Sequence, residues 1–107
     1  MGARMDVKVN KSEWESLSQE NRDRINSIIS SHFQGSTVVG ADGVNSSHDI
    51  IQAQKFGWNP GKPFCTAACG VAEAAAVAAC SALSGGVAVA ACVAAAHVAG
   101  DYCRSRC

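Results

Sequence analysis

Between Asn10 and Phe33 the apolar residues Trp14, Leu17, Ile25, Ile28, Ile29 and Phe33 recur at helical intervals. Glu15, Glu20, Arg22 and Asp23 fall largely elsewhere, so this stretch predicts one amphipathic helix. Asn10 is placed to cap its first turn, and Glu13 stands three residues on, where a capping-box carboxylate reaches back. Gly35 closes it. From Ser36 to Pro63 the period is lost among Gly, Ser, Asn and Asp, with Asp42-Gly43 and Asn59-Pro60-Gly61 as turn signals. A flexible linker is expected there, although Val38-Val39 and Ile50-Ile51 leave open a docked patch or a brief strand. Beyond Cys65, alanine takes over in two runs, Cys65 to Leu83 and Val87 to Tyr102, separated by Ser84-Gly85-Gly86. High helix propensity on both sides of a glycine pair predicts a helix, a tight turn and a second helix.

The expected fold is therefore all-α, with a leader-like helical segment over 1–35, a linker over 36–63 and a helical hairpin over 64–107. A core this small usually needs a covalent or metal staple. All six cysteines lie in the last part: Cys65, Cys69, Cys80, Cys92, Cys103 and Cys107, spaced C-x3-C-x10-C-x11-C-x10-C-x3-C. The string is a palindrome. Paired from the outside inward, the position numbers of each pair total 172, which centres the pattern on Gly86. Both arms rise by the same ~1.5 Å per residue, so residues sharing one total lie level in an antiparallel pair. Turning ~100° per residue, each arm also gathers its cysteines into one stripe. Six cysteines allow fifteen connectivities; the mirror spacing selects Cys65–Cys107, Cys69–Cys103 and Cys80–Cys92. Buried free thiols are the plainer alternative, and zinc fits poorly because the C-x2-C knuckle is missing.

Charge narrows the function. The whole chain is neutral with no basic cluster, which argues against a nucleic-acid partner. The N-terminus shows neither the apolar run of a secretory signal nor a twin arginine, so any export needs another address. No Ser/His/Asp set or phosphate-binding glycine loop is present, and the reading is a non-enzyme without cofactor or metal. Each arm of ~17 to 19 residues would be ~25 to 28 Å long, near the hydrocarbon thickness of a bilayer. Away from the cysteine stripe lie Val71, Val77, Leu83, Val89, Val93 and Val98. This surface either meets a membrane or target or packs on the Trp14, Leu17, Ile25 and Phe33 stripe. Gly85 and Gly86 make the turn, and Arg104 and Arg106 offset the second helix's dipole or contact anionic headgroups. Glu73 is expected at the edge of the seam and His97 on the outer surface.

An amphipathic N-terminal helix, a polar linker and the core CTAACGVAEAAAVAACSALSGGVAVAACVAAAHVAGDYCRSRC together resemble the precursors of ribosomally made bacteriocins. Within that group the core looks most like the cysteine-rich small halocins and their bacterial relatives. The resemblance implies a leader removed between Gly35 and Cys65, recognition by a processing protease or exporter, secretion, an immunity protein and inhibition of related microbes. Only Thr66, Ser81, Ser84 and Ser105 are available to six thiols, which excludes full lanthionine pairing. Two other functions fit the same residues. One is a secreted or envelope interaction protein that keeps its N-terminal helix over the hairpin; the other is a redox-responsive helical scaffold.

Overall fold

The computed structural model of the protein describes residues 5–53 and 63–105. In chain order they form β1 (Met5–Asn10), α1 (Lys11–Ser16), α2 (Gln19–His32), β2 (Ser36–Ala41), α3 (Ser47–Ala53), α4 (Pro63–Cys80) and α5 (Gly86–Ser105). The molecule is mostly helical but not all-α, because β1 and β2 pair as a two-stranded parallel sheet. Its register runs from Met5 opposite Ser36 to Asn10 opposite Ala41. In β1 the side chains alternate as a strand requires, with Val7 and Val9 buried and Asp6 and Lys8 exposed. A parallel pair needs a long crossover, which α1 and α2 supply.

The single helix expected over 10–33 is two helices. Leu17 is extended, and the Ser18 side chain accepts from the Asn21 backbone N–H to cap α2 afresh. Both halves still bury the anticipated stripe: Leu17, Ile25, Ile29 and Phe33 are in the core, with Trp14 and Ile28 packed against it. Asn10 caps α1 by accepting from the Glu13 N–H at 3.1 Å. The Glu13 carboxylate does not close a capping box; it binds Ser47 instead.

The described part of the expected linker, 36–53, holds a strand and a helix; the turn signal Asn59-Pro60-Gly61 lies outside the described residues. Residues 36–41 are β2, whose Val38 N–H donates to Asn26 Oδ1 on α2 at 2.7 Å, and residues 47–53 are α3, which packs on α5. The local pattern hid this because β2 pairs with a strand that lies 31 residues earlier in register, from Met5 opposite Ser36. Val38 is buried there; Ile50 and Ile51 lie in α3 and are half-buried.

The C-terminal hairpin has the anticipated order with a shifted corner. After α4 ends at Cys80, the chain reverses over 81–85, and Gly85 alone takes the left-handed conformation, at φ +94°. Gly86 is already the first residue of α5, and Val89 N–H closes the first turn on the Gly85 carbonyl. Ala88, Ala91, Cys92, Ala94, Ala95, Ala96, Ala99 and Gly100 are all buried. Three successive alanines among them span more than half the circumference, so α5 is enclosed rather than amphipathic. Its neighbours are α4, α3, α2, α1 and β1. The N-terminal half and the hairpin therefore share one core, in which Val7, Val9, Ile25, Ile29 and Val38 join Ala76, Cys80, Leu83, Ala88 and Cys92.

Candidate functional site

Two bridges hold the hairpin. Cys69 on α4 bonds Cys103 on α5 with Cα atoms 5.8 Å apart, and Cys80 bonds Cys92 at 5.6 Å. Helix axes commonly lie 8–10 Å apart, and small residues in the seam allow the approach that these Cα distances require. Cys65 is also disulfide-bonded, and no cysteine among the described residues is free. Cys107, its expected partner, and Arg106 lie outside the described residues.

The structure sorts the anticipated contact valines. Of these Val71 is 71% exposed, whereas Val77, Val89, Val93 and Val98 pack against the common core and Leu83 is buried; Val87, which is not among them, is 52% exposed. The broad valine surface is thus mostly covered in the intact chain, because α2, α3 and β1 pack on the hairpin. Tyr102 is the other exposed large apolar side chain among the described residues. Gly85 and Gly86 stand at the corner already described.

Near the open end, between the helices and one turn from the Cys69–Cys103 bridge, lies a polar cluster. Glu73 on α4 presents Oε1 to Arg104 Nη2 at 3.0 Å and Oε2 to His97 Nδ1 at 3.4 Å. Arg104 Nη2 also donates to Asp101 Oδ1 at 2.6 Å. All three of Glu73, His97 and Arg104 expose less than a fifth of their side chains. His97 Nδ1 makes a charge contact with the carboxylate when the ring is protonated, but it is not aligned as a hydrogen bond. Burial opposes the Arg104 charge, yet hydrogen bonds to Asp101 and Glu73 and their negative charges outweigh it and raise the guanidinium pKa. Gly100 makes the room: a Cβ at that position would collide with the Glu73 carboxylate.

This arrangement corrects two expectations. His97 does not point outward; it turns onto Glu73. Arg104 is not free to meet lipid headgroups, because two carboxylates hold it. The signal for His97 was available in the rule that levels the cysteines. By that rule Glu73 stands level with Ala99, within a turn of His97 and Gly100.

Other features offer little chemistry. An open groove between α2 and α4 is lined by Arg24, Ser27, Ile28, Ala79, Ala82 and Leu83, and its one charged group already pairs with Glu20. Among the described residues no group of three His, Cys, Asp or Glu side chains could hold a metal ion. By length and composition α5 could cross a membrane, with 44% of its apolar window buried inside the protein. Compared with known proteins, the chain matches no family model, no curated protein and no solved structure.

Proposed function

We propose that the chain is the precursor of an exported, bacteriocin-like antimicrobial peptide, in which residues 64–107 are the active hairpin and the N-terminal half sheathes it. The observation that supports this most is the setting of α5. A 20-residue apolar helix is clamped to α4 by two bridges and covered on its remaining sides by β1, α2 and α3. All six cysteines follow position 64, so no disulfide joins the two halves. A single cut between α3 and α4 leaves the hairpin covalently intact and frees it from its cover. Removal of that cover exposes alanine and valine surface of the kind that marks membrane or protein interaction sites. Disulfides of this density suit an oxidising, extracellular setting. A processing protease or exporter reading the N-terminal half and an immunity protein complete the proposal, with a bilayer or envelope component of related microbes as the target.

An engineered protease site between Ala53 and Pro63 tests it. The oxidised protein is compared before and after cutting for growth inhibition of a broad microbial panel and for leakage of lipid vesicles. Activity only after cutting is the expected result; inactivity of both forms across the panel removes the reading. A second reading, an interaction protein that keeps its N-terminal half, is favoured by the shared core and by the Asn21 Nδ2 hydrogen bond to the Ser84 carbonyl at the turn. The intact mass of the native product under non-reducing conditions separates the two.

A further inference from the structure

The seam between α4 and α5 is built from alanine, valine, glycine and cysteine, and such a seam reads nearly the same after a slip of one helical turn. Packing therefore discriminates poorly between neighbouring registers. The cysteines themselves add to the ambiguity at the open end, since Cys65 and Cys69 stand one turn apart on one stripe and both can approach Cys103 before the helices are locked. A slip of one turn displaces the arms by about 5–6 Å, which would join Cys65 to Cys103 and leave Cys80 out of level with Cys92.

One feature of the seam is not repeated along it. Glu73 is the only charged residue of α4, and Gly100 is the residue of α5 whose missing side chain accommodates its carboxylate. A slip in one direction would put Ala96 in the place of Gly100, and in the other direction Arg104. Either fills the space with atoms, and the Ala96 slip, the one that joins Cys65 to Cys103, also carries Glu73 a turn away from the guanidinium that it meets at 3.0 Å. A partly buried carboxylate without its partners is strongly disfavoured, and buried polar pairs are best attested as devices that set register.

We infer that Glu73, seated on Gly100 and held by Arg104, is a register key that directs Cys69 to Cys103 rather than Cys65 to Cys103 during oxidative folding. Each bridge forms by thiol–disulfide exchange: two protein thiols become one disulfide while one oxidised glutathione becomes two thiols, so the protein loses two electrons that glutathione gains. The key acts before the second exchange, when the first bridge has not yet fixed the other cysteines. This inference does not depend on the antimicrobial reading.

The test refolds the fully reduced full-length chain in a glutathione buffer, traps the thiols at intervals and maps the linked peptides by mass spectrometry. The wild type should favour Cys69–Cys103 over Cys65–Cys103 from the earliest species. Glu73→Ala and Gly100→Ala should each shift that ratio several-fold toward Cys65–Cys103, with Cys80–Cys92 falling in the same species because the slipped register puts those two cysteines out of level. Glu20→Ala, which removes an exposed pair with Arg24, should change nothing. An unchanged open-end ratio in both seam variants overturns the inference. So does a loss of Cys80–Cys92 without a gain of Cys65–Cys103, which would mean that the variants simply unfold the hairpin.

Discussion

The Glu13 carboxylate on α1 accepts two hydrogen bonds from Ser47 at the start of α3, one from its backbone N–H at 2.8 Å and one from its hydroxyl at 2.7 Å. Asn10, three residues before Glu13, donates to the Val44 carbonyl at 3.0 Å, so one helix start pins the loop that delivers α3 to α5. Hydrogen bonds to a charged group contribute about 1.5–3 kcal/mol each, and an abandoned buried partner adds to the loss. Ser47→Ala removes one bond and should lower stability by about 1–2 kcal/mol. Glu13→Ala should cost more than Ser47→Ala. Urea unfolding of the oxidised protein provides both values, and equal midpoints for wild type and Glu13→Ala would contradict the pinning role.

Glycine at 100 and glycine at 70 should respond in opposite senses to the same substitution. Gly100→Ala forces a methyl into the Glu73 carboxylate and should destabilise by about 1–3 kcal/mol, as overpacking does. Gly70 lies inside α4 with open space around it, so Gly70→Ala should stabilise by about 0.5–1 kcal/mol through helix propensity. Guanidinium midpoints of the two variants give the comparison directly.

The two described bridges close loops of different length, with sequence separations of 34 and 12. In the chain-entropy view these correspond to about 4 and about 3 kcal/mol, taken one at a time because nested loops are not independent. Replacing Cys69 and Cys103 together by alanine should therefore lower the melting temperature more than replacing Cys80 and Cys92 together. Calorimetry under non-reducing conditions reads the order; the reverse order would show that packing around the buried Cys80–Cys92 sulfurs dominates over loop closure.

Arg104 has a folded pKa raised above its already high ordinary value. A raised basic pKa contributes stability that is present in full below the unfolded value and is lost only as pH climbs through the folded one. The guanidinium is thus fully charged through the whole neutral and mildly alkaline range. Arg104→Ala should cost about 1–3 kcal/mol, and the penalty should be the same at about pH 8 and about pH 10. A penalty that fades between those two values, followed by urea titration, would exclude the ionic role assigned to this side chain.

Much of the hairpin was legible because its determinants are local or periodic. The alanine runs specify helices, Gly85 supplies the reversal, and level cysteines follow from equal rise along two arms. The Asn10 cap and the end of the helix before Gly35 were equally local. The sheet was not, although Met5–Asn10 alternates apolar and polar residues as a half-buried strand does. Six residues are too few to outweigh a neighbouring helical pattern, and the partner strand is reached only after a two-helix crossover. The break at Leu17 was hidden because the apolar spacing continues through it; Ser18 followed by the Asn21 N–H was the only sign. His97 departs from expectation for another reason. The direction of one helix does not decide it, because its meeting with Glu73 depends on both arms and on the space left by Gly100.

The enclosure of α5 also constrains how this sequence can drift. An amphipathic helix has a watery side on which almost any residue is tolerated. A helix lined all round by alanine methyls, against five neighbouring elements, has almost no such side before Asp101. Shrinking a residue there removes little, but enlarging one in any direction meets a wall. Changes that survive at the buried alanines Ala88, Ala91, Ala94, Ala95, Ala96 and Ala99 should stay within the small set of glycine, alanine, serine and cysteine, so that these positions vary by exchange among small residues while the strands and outer helices wander more freely.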